Sequence, residues 1–339
     1  MNGFFYFMIE LYTENPNLKY ISLPFEWKGT PIDKNGRFLN HEHIHNHSLQ
    51  AFLKWQTTRN IYKTEKKKST WKHDVVEDNF MQSTEDCIVW LGHASFFIRL
   101  NQKNILIDPI LFDISLLKRQ TKFPIHPEKL IDIDYILISH DHRDHLDEKS
   151  IKYLLKKNPN AQFLTGLKID SLLQSVTKTS NIQAAGWYQQ YTLADDLKIT
   201  YVPSRHWGRR LLRDTNSRLW GGFLIQFNAI SIYFSGDTGY GSHFKDIAEI
   251  VPHLDFCIIG IGAYKPEFFM AQSHISPTDA LKAFTETKAR YMIPMHHSTF
   301  DLSDEPLHDP LFTLQNVSKM NNLSERIITP KIGEMIPIH

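Results

Sequence analysis

Tyr135-Ile-Leu-Ile-Ser-His-Asp-His-Arg-Asp-His145 is an apolar run that passes without a break into an H-x-H-x-D-H motif. Ile136, Leu137 and Ile138 read as a short buried strand, and the motif crowds potential metal ligands into the loop at its end. His140 and His142 leave the fraying strand on the same side, so they can grip one cation. Asp144 and His145 follow as the chain turns and can face a second. Nitrogen-rich ligation with one carboxylate suits zinc best, and manganese or iron fits the same donors. Two cations roughly 3.5–4 Å apart can hold a bridging hydroxide and clamp the attacking and leaving oxygens of a displaced ester. The plain alternative is a solvated cluster of surface histidines, and the buried strand carrying the motif argues against it.

The same placement recurs further along the chain. Leu197-Lys-Ile-Thr-Tyr-Val202 leads through Pro203-Ser204-Arg205 into His206, Ile232-Tyr-Phe-Ser-Gly-Asp237 ends in a carboxylate, and Met292-Ile-Pro-Met-His296 ends in an imidazole. A lone His or Asp at a strand end is ordinarily structural. In order after H-x-H-x-D-H, these residues become candidate ligands. Upstream, Cys87-Ile-Val-Trp-Leu91, Phe96-Phe-Ile-Arg-Leu100 and Ile105-Leu-Ile-Asp108 predict a β-meander, broken by Gly92-His93-Ala94-Ser95 and ended by Asp108-Pro109. Asp147 reads as the N-cap of a helix carrying Ile151, Leu154 and Leu155 and stopped by Asn158-Pro159. Gln162 to Thr165 and Asn181 to Ala185 continue the strand pattern.

Over 339 residues, 42 % hydrophobic and 22 % charged residues provide a large core and exclude disorder. The expected organisation is one main domain over residues 86–339, with residues 1–85 as an extension or cap packed on it. A formal net charge of +1 gives no global field that points to nucleic acid. Cys87 and Cys257 each lie inside an apolar strand-like run, which predicts buried thiols and a reducing, cytoplasmic setting. Met1 to Tyr12 carries an apolar patch without a basic region or cleavage signal, and no run approaches membrane-spanning length. The expectation is a soluble or, at most, peripheral protein. The alternating histidines from His41 to His47 read as solvated or groove-lining. Lys66-Lys67-Lys68 reads as a solvated face, of interest only if the substrate sits in an anionic membrane.

Taken together, His140-x-His142-x-Asp144-His145, His206, Ser235-Gly-Asp-Thr-Gly239 and His296, after Trp90-Leu-Gly-His-Ala94 and Asp108-Pro109, resemble the metallo-β-lactamase-fold hydrolases. The resemblance covers roughly residues 86–325. It implies an α/β fold, an αββα sandwich with a dinuclear metal site at one edge. Within the family the chain is most similar to the branch of N-acyl-phosphatidylethanolamine-hydrolysing phospholipases D. The matching stretches are Ser139 to Asp147, His206-Trp207 with Arg209-Arg210, Leu219-Trp-Gly221, Gly236-Asp-Thr-Gly-Tyr240, Ile261-Gly-Ala-Tyr264 with Pro266, Phe269-Met270, His274, and His296 with Thr299-Phe300. His297 and Ser298 stand where that branch has Trp and Gly, and residues 1–85 match weakly.

The resemblance implies that two zinc ions are held, one by His140, His142 and His206 and one by Asp144, His145 and His296, with Asp237 bridging. Asp144 and Asp237 would also orient the nucleophile. Arg209 and Arg210 are candidates for phosphate, because a guanidinium fork matches its oxygens. His274 is a candidate donor to phosphate or leaving group, or a loop-positioning residue ahead of a helix capped by Ser276 with Pro277 at its start. Tyr264 and Phe269 are candidates for an acyl pocket, or are core. The implied reaction is zinc-dependent hydrolysis of N-acyl-phosphatidylethanolamine to N-acylethanolamine and phosphatidic acid by a metal-bridging hydroxide. A soluble hydrolase of a lactone, cyclic phosphate or other small ester is the alternative. The implied partners are a phospholipid or small ester, a peripheral membrane contact and a second copy of the chain, with no nucleic acid.

Overall fold

The computed structural model describes residues 11–42, 49–77, 80–115, 117–194 and 196–338. His43, His45 and His47 of the alternating tract and residues 1–10 of the apolar N-terminal patch lie outside the described residues.

The apolar run forms the strand Tyr135–Ile138, buried along its whole length. It pairs in parallel with Lys103–Ile107 on one side and Gln162–Gly166 on the other. Tyr135 and Leu137 face one core cluster, while Ile136 and Ile138 face another. Both faces of a parallel strand are covered, so the sequence is continuously apolar rather than alternating.

Around it a seven-stranded sheet runs Met335–Pro337, Cys87–Gly92, Ser95–Leu100, Lys103–Ile107, Tyr135–Ile138, Gln162–Gly166, Ile182–Ala185. The predicted meander is its antiparallel part. A second seven-stranded sheet runs Tyr291–Met295, Phe256–Gly260, Ile230–Phe234, Gly222–Phe227, Lys198–Val202, Gln189–Gln190, Lys19–Tyr20. The larger core cluster joins the two sheets, with Phe96, Ile98 and Leu137 of the first against Tyr201, Phe223 and Phe234 of the second. Helices Glu148–Lys157 and Ile169–Thr177 cover the first sheet through Ile151, Leu154, Ile169 and Leu173. Helices His243–Ile250, Pro277–Thr287 and Asp309–Met320 contribute Phe244, Phe284 and Leu314 beside the second. This is the αββα sandwich.

Local chemistry sets the helix starts. The Asp147 carboxylate accepts from Ser150 N at 2.9 Å, and Ser276 Oγ accepts from Asp279 N at 3.2 Å ahead of Pro277. The strand Lys19–Tyr20 adds to the second sheet beside Gln189–Gln190, and Phe38 is buried in the main core. Trp55 Nε1 donates to Asp304 Oδ1 at 3.1 Å, and Lys66 Nζ pairs with Asp301 at 2.5 Å. Both cysteines are free and buried. No helix among the described residues is long and apolar enough to cross a membrane.

Leu137 is fully buried between the sheets at the strand that carries the ligand loop. Leu137→Ala is expected to destabilise the fold by about 2–5 kcal/mol, measured as a lower urea midpoint at unchanged slope.

Candidate metal centre and active site

The ligand-type residues leave the carboxyl ends of strands at one edge of the sandwich, where open α/β sheets place their sites. His140 and His142 follow Tyr135–Ile138, His206 follows Lys198–Val202, Asp237 follows Ile230–Phe234 and His296 follows Tyr291–Met295. Gly236 makes the turn into Asp237 at φ +61, and a Cβ there would meet Gly221 O at 2.3 Å, so only glycine fits.

Two donor groups result. In the first, His142 Nδ1 lies 2.9 Å from His140 Nε2 and 3.1 Å from His206 Nε2, with Asp237 completing the set. The second comprises His93, Asp144, His145 and His296. Asp237 Oδ2 stands between them, 3.2 Å from His145 Nε2, 3.1 Å from His296 Nε2 and 3.9 Å from His206 Nε2.

Outer partners fix which ring nitrogens point inward. His145 Nδ1 donates to Asp108 Oδ2 at 2.7 Å, and His206 Nδ1 donates to Ser273 O at 2.8 Å. Ser139 Oγ gives its proton to Asp108 and stands 3.0 Å from His140 Nδ1, which can therefore donate to it. Each ring is left with an Nε2 lone pair facing the cluster, the tautomer a metal requires. Nε2 of His145 and Nε2 of His296, both at the cluster, have no hydrogen-bond partner although buried. Unpartnered buried nitrogens beside ionised carboxylates fit cations well, because a cation satisfies every one of them at once.

Burial sets the charge pattern. It holds His140 and His206 well below, and His142 below, the ordinary imidazole range. It pushes His93 down to about 3 and His274 to about 4. Burial opposes charge on His145 and His296 too, but Asp237 and Asp144 outweigh it, holding His145 well above its ordinary value and His296 at about 9. Burial would raise Asp144 and Asp237, yet the His145 imidazole, aided by His296, keeps both well below the usual carboxylate range. Without metal, protons on His145 and His296 balance the carboxylates, and an incoming cation displaces them.

His274 lies at this cluster, with Nδ1 3.8 Å from Asp237 Oδ2 and its ring 5.3 Å from that of His296. Arg209 is exposed and lies over Trp207, whose ring contacts His142 at 4.5 Å. Arg210 does not reach the cluster. Its guanidinium donates to Leu146 O at 2.7 Å, Asp141 O at 3.2 Å and Glu148 Oε1 at 3.0 Å, so it braces the ligand loop instead of facing substrate. Tyr264 is buried with its hydroxyl on Asp309, and Phe269 packs against Trp55 at 5.0 Å.

Sequence reasoning passed over several contributors. His93 lies in the break between two strands and within the family-like Trp90-Leu-Gly-His-Ala94 segment, and neither setting by itself marks it as a donor at the centre. Asn40, from the poorly legible N-terminal region, brackets the His206 peptide: its Nδ2 donates to His206 O at 2.9 Å and its Oδ1 accepts from His206 N at 3.1 Å. Arg218 Nε donates to the buried Asp141 carboxylate at 2.6 Å inside the H-x-H-x-D-H loop. Only the Gly-His pair at a tight turn offered a signal in advance. Asn40 and Arg218 act across long sequence separations that no local pattern encodes.

Residues 103–297, more than half of the chain, match the Beta-lactamase superfamily domain. The chain belongs to the beta-lactamase superfamily. It is a metal-dependent hydrolase. The N-acyl-phosphatidylethanolamine-hydrolyzing phospholipase D 1 of Caenorhabditis elegans is 30 % identical over 244 residues, covering 68 % of this chain and 68 % of the relative. The mitochondrial enzyme of the same name in Saccharomyces cerevisiae is 28 % identical over 273 residues, covering 76 % of this chain and 57 % of the relative. Among solved structures, the isothiocyanate hydrolase from Delia radicum gut bacteria superposes with a TM-score of 0.61 at 17 % identity, over 74 % of this chain and 98 % of that one. A metallo hydrolase from the archaeon Ignicoccus hospitalis gives 0.57 at 19 % identity, over 76 % and 99 %. These structures share the fold.

Two outcomes test the centre. Asp108→Asn turns an amide toward donors that now share a carboxylate, so zinc affinity is expected to fall roughly 10–100-fold, read by chelator competition with the circular dichroism spectrum unchanged. For the pH dependence, His243 resembles His93 in being pushed to about 3 by burial. Such a ring is uncharged in the fold but charged in the unfolded chain below about 6.5. The unfolded state therefore binds more protons, and stability is lost as pH falls from 6.5 toward 3. His145 and His296, held above their ordinary range, act in the opposite sense, but His93, His140, His142, His206, His243 and His274, all held down by burial, outnumber them. Melting of the chelated protein is therefore expected at lower temperature at pH 5 than at pH 7.

Proposed function

We propose that this protein is a zinc-dependent phosphodiesterase of the phospholipase D type, hydrolysing N-acyl-phosphatidylethanolamine or a similar lipid phosphodiester to N-acylethanolamine and phosphatidic acid. The observation that carries the reading is the Asp237 carboxylate between two donor groups, with imidazole nitrogens of His145, His206, His274 and His296 at 3.2, 3.9, 3.8 and 3.1 Å from Oδ2. Similarity to relatives named for that substrate supports the class.

His140, His142 and His206 would hold one zinc and Asp144, His145 and His296 the other, with Asp237 placed where both could use it. The zinc ions, when bound, supply Lewis acidity that makes water a better nucleophile and phosphorus a better electrophile. Manganese or iron would suit the same donors. Asp144 and Asp237 orient the attacking water and receive its proton. Water adds to phosphorus, the P–O bond to the N-acylethanolamine breaks, and the departing oxygen takes up that proton. His274, neutral because burial lowers it to about 4, donates its ring N–H to a phosphate oxygen or the departing oxygen.

The surface also favours a lipid substrate. Phe52 and Leu53 on the helix Leu49–Thr57 and Phe268 on Glu267–Met270 are 44 %, 52 % and 42 % exposed, and Lys54 Nζ lies 4.5 Å from the Phe268 ring. Phe269 links the two helices through Phe52 and Trp55, and the second helix leads directly to His274. Exposed Leu211 and Leu212 lie between Arg209 and Arg213. Apolar side chains framed by cations suit an anionic lipid surface, and Phe269 and Tyr264 are the aromatic residues proposed for the acyl-facing side.

The test is hydrolysis of N-acyl-phosphatidylethanolamine in mixed micelles by zinc-loaded protein, following both products by mass spectrometry. Equal release, lost on chelation and restored by zinc, is expected. Asp144→Asn and His296→Ala, each altering a proposed metal ligand, are expected to lower the rate by at least the ~10²-fold that disturbing a metal site's supporting partners can cost, while remaining folded. No release from folded, metal-replete protein would sink the lipid reading and favour a lactone, cyclic phosphate or other small ester at the same centre.

A further inference from the structure

The turn Gly92-His93-Ala94-Ser95 joins two antiparallel strands, and a polar side chain in such a turn is ordinarily solvated. His93 is 1 % exposed. Its backbone sits at φ +55, in the left-handed region that residues with a Cβ seldom occupy and that persists only where the surroundings impose it. Here three contacts do so. His93 N donates to Thr299 Oγ1 at 2.7 Å, and His93 O accepts from Trp90 Nε1 at 2.8 Å and from His296 N at 3.0 Å. The last ties the turn directly to a ligand residue. The ring is thereby turned inward, 4.1 Å from the ring of His296 and edge-on to Phe300 at 5.2 Å, with Nε2 3.0 Å from Asp144 Oδ2.

Three histidines surround Asp144 at different distances. His296 Nε2 and His145 Nε2 stand 3.6 and 3.7 Å from Asp144 Oδ2, beyond hydrogen-bond range. His93 Nε2, at 3.0 Å, is at hydrogen-bond distance. Asp144 is also the ligand with freedom to move: its side chain is 18 % exposed, against 0 % for His145 and 1 % for His296.

We propose that His93 is a positioning residue of the second donor group, donating Nε2–H to Asp144 Oδ2. One lone pair of that oxygen is fixed, and another is left for the cation shared with His145 and His296. The carboxylate is kept from swinging toward solvent. This rests on the metal-centre reading and is independent of which ester or phosphodiester is cleaved.

The experiment uses zinc-loaded wild type, His93→Ala, His93→Gln and His93→Phe. Bound equivalents are measured by atomic emission after dialysis, and the affinity of each equivalent by chromophoric-chelator competition, with circular dichroism as the folding control. Wild type is expected to hold two equivalents. His93→Ala is expected to keep the first at wild-type affinity and bind the second roughly 10–100-fold more weakly. His93→Gln, which retains an N–H donor, is expected to recover most of the loss. His93→Phe, of similar bulk without a donor, is expected to resemble His93→Ala and decides the comparison with Gln if the alanine variant does not fold. Wild-type affinity for both equivalents in the Ala or Phe variant overturns the proposal, as does a Gln variant no tighter than they are. Fewer than two equivalents in wild type would instead overturn the two-cation centre beneath it.

Discussion

The Asp108 carboxylate joins the sheet to the ligand loop. It stands at the end of Lys103–Ile107 and takes the Ser139 amide on one oxygen and the Ser139 hydroxyl and His145 Nδ1 on the other. Asp108 and His145 are both fully buried, where an unpaired charge or donor would be costly. One group therefore fixes the exit of the Tyr135–Ile138 strand, the tautomer of His145 and, through Ser139, the orientation of His140. The loop can hold lone pairs toward a common centre because the protons of those rings are anchored behind it.

Second supports arrive from remote parts of the chain. Arg210 fastens the loop backbone at Asp141 and Leu146, and Arg218 fastens the Asp141 side chain. Asn40 brackets His206 from the N-terminal region, where Arg37 Nη2 also donates to Arg213 O at 3.1 Å. These contacts make residues 37–40 part of the frame behind the donor groups. They also explain why the arginines around His206 differ in role: Arg209 is exposed, whereas Arg210 and Arg218 have buried carbonyls and carboxylates to satisfy.

Much of the architecture was legible because its elements carry local causes. The strand before the H-x-H-x-D-H loop is apolar because both its faces are covered, and the helices after Asp147 and Ser276 begin where those side chains cap them. His206, Asp237 and His296 stood out because each follows an apolar strand, where a loop can project a side chain over the sheet edge. Other features have no local cause. Ile182–Ala185 and Lys198–Val202 have similar strand patterns yet belong to different sheets. Met335–Pro337 pairs with Cys87–Gly92 across almost the whole domain.

The sequence alone therefore determined the fold family and the set of donors that can meet at one edge, because hydrophobic period, capping and ligand chemistry act over a few residues. The tertiary structure alone decided how those donors are held. His93 faces Asp144 because Thr299, Trp90 and His296 hold its strained backbone, and Asp237 lies between the donor groups because strands from opposite sheets end side by side. A buried polar group takes whichever partner the packing brings within hydrogen-bond distance, and that choice is made in three dimensions.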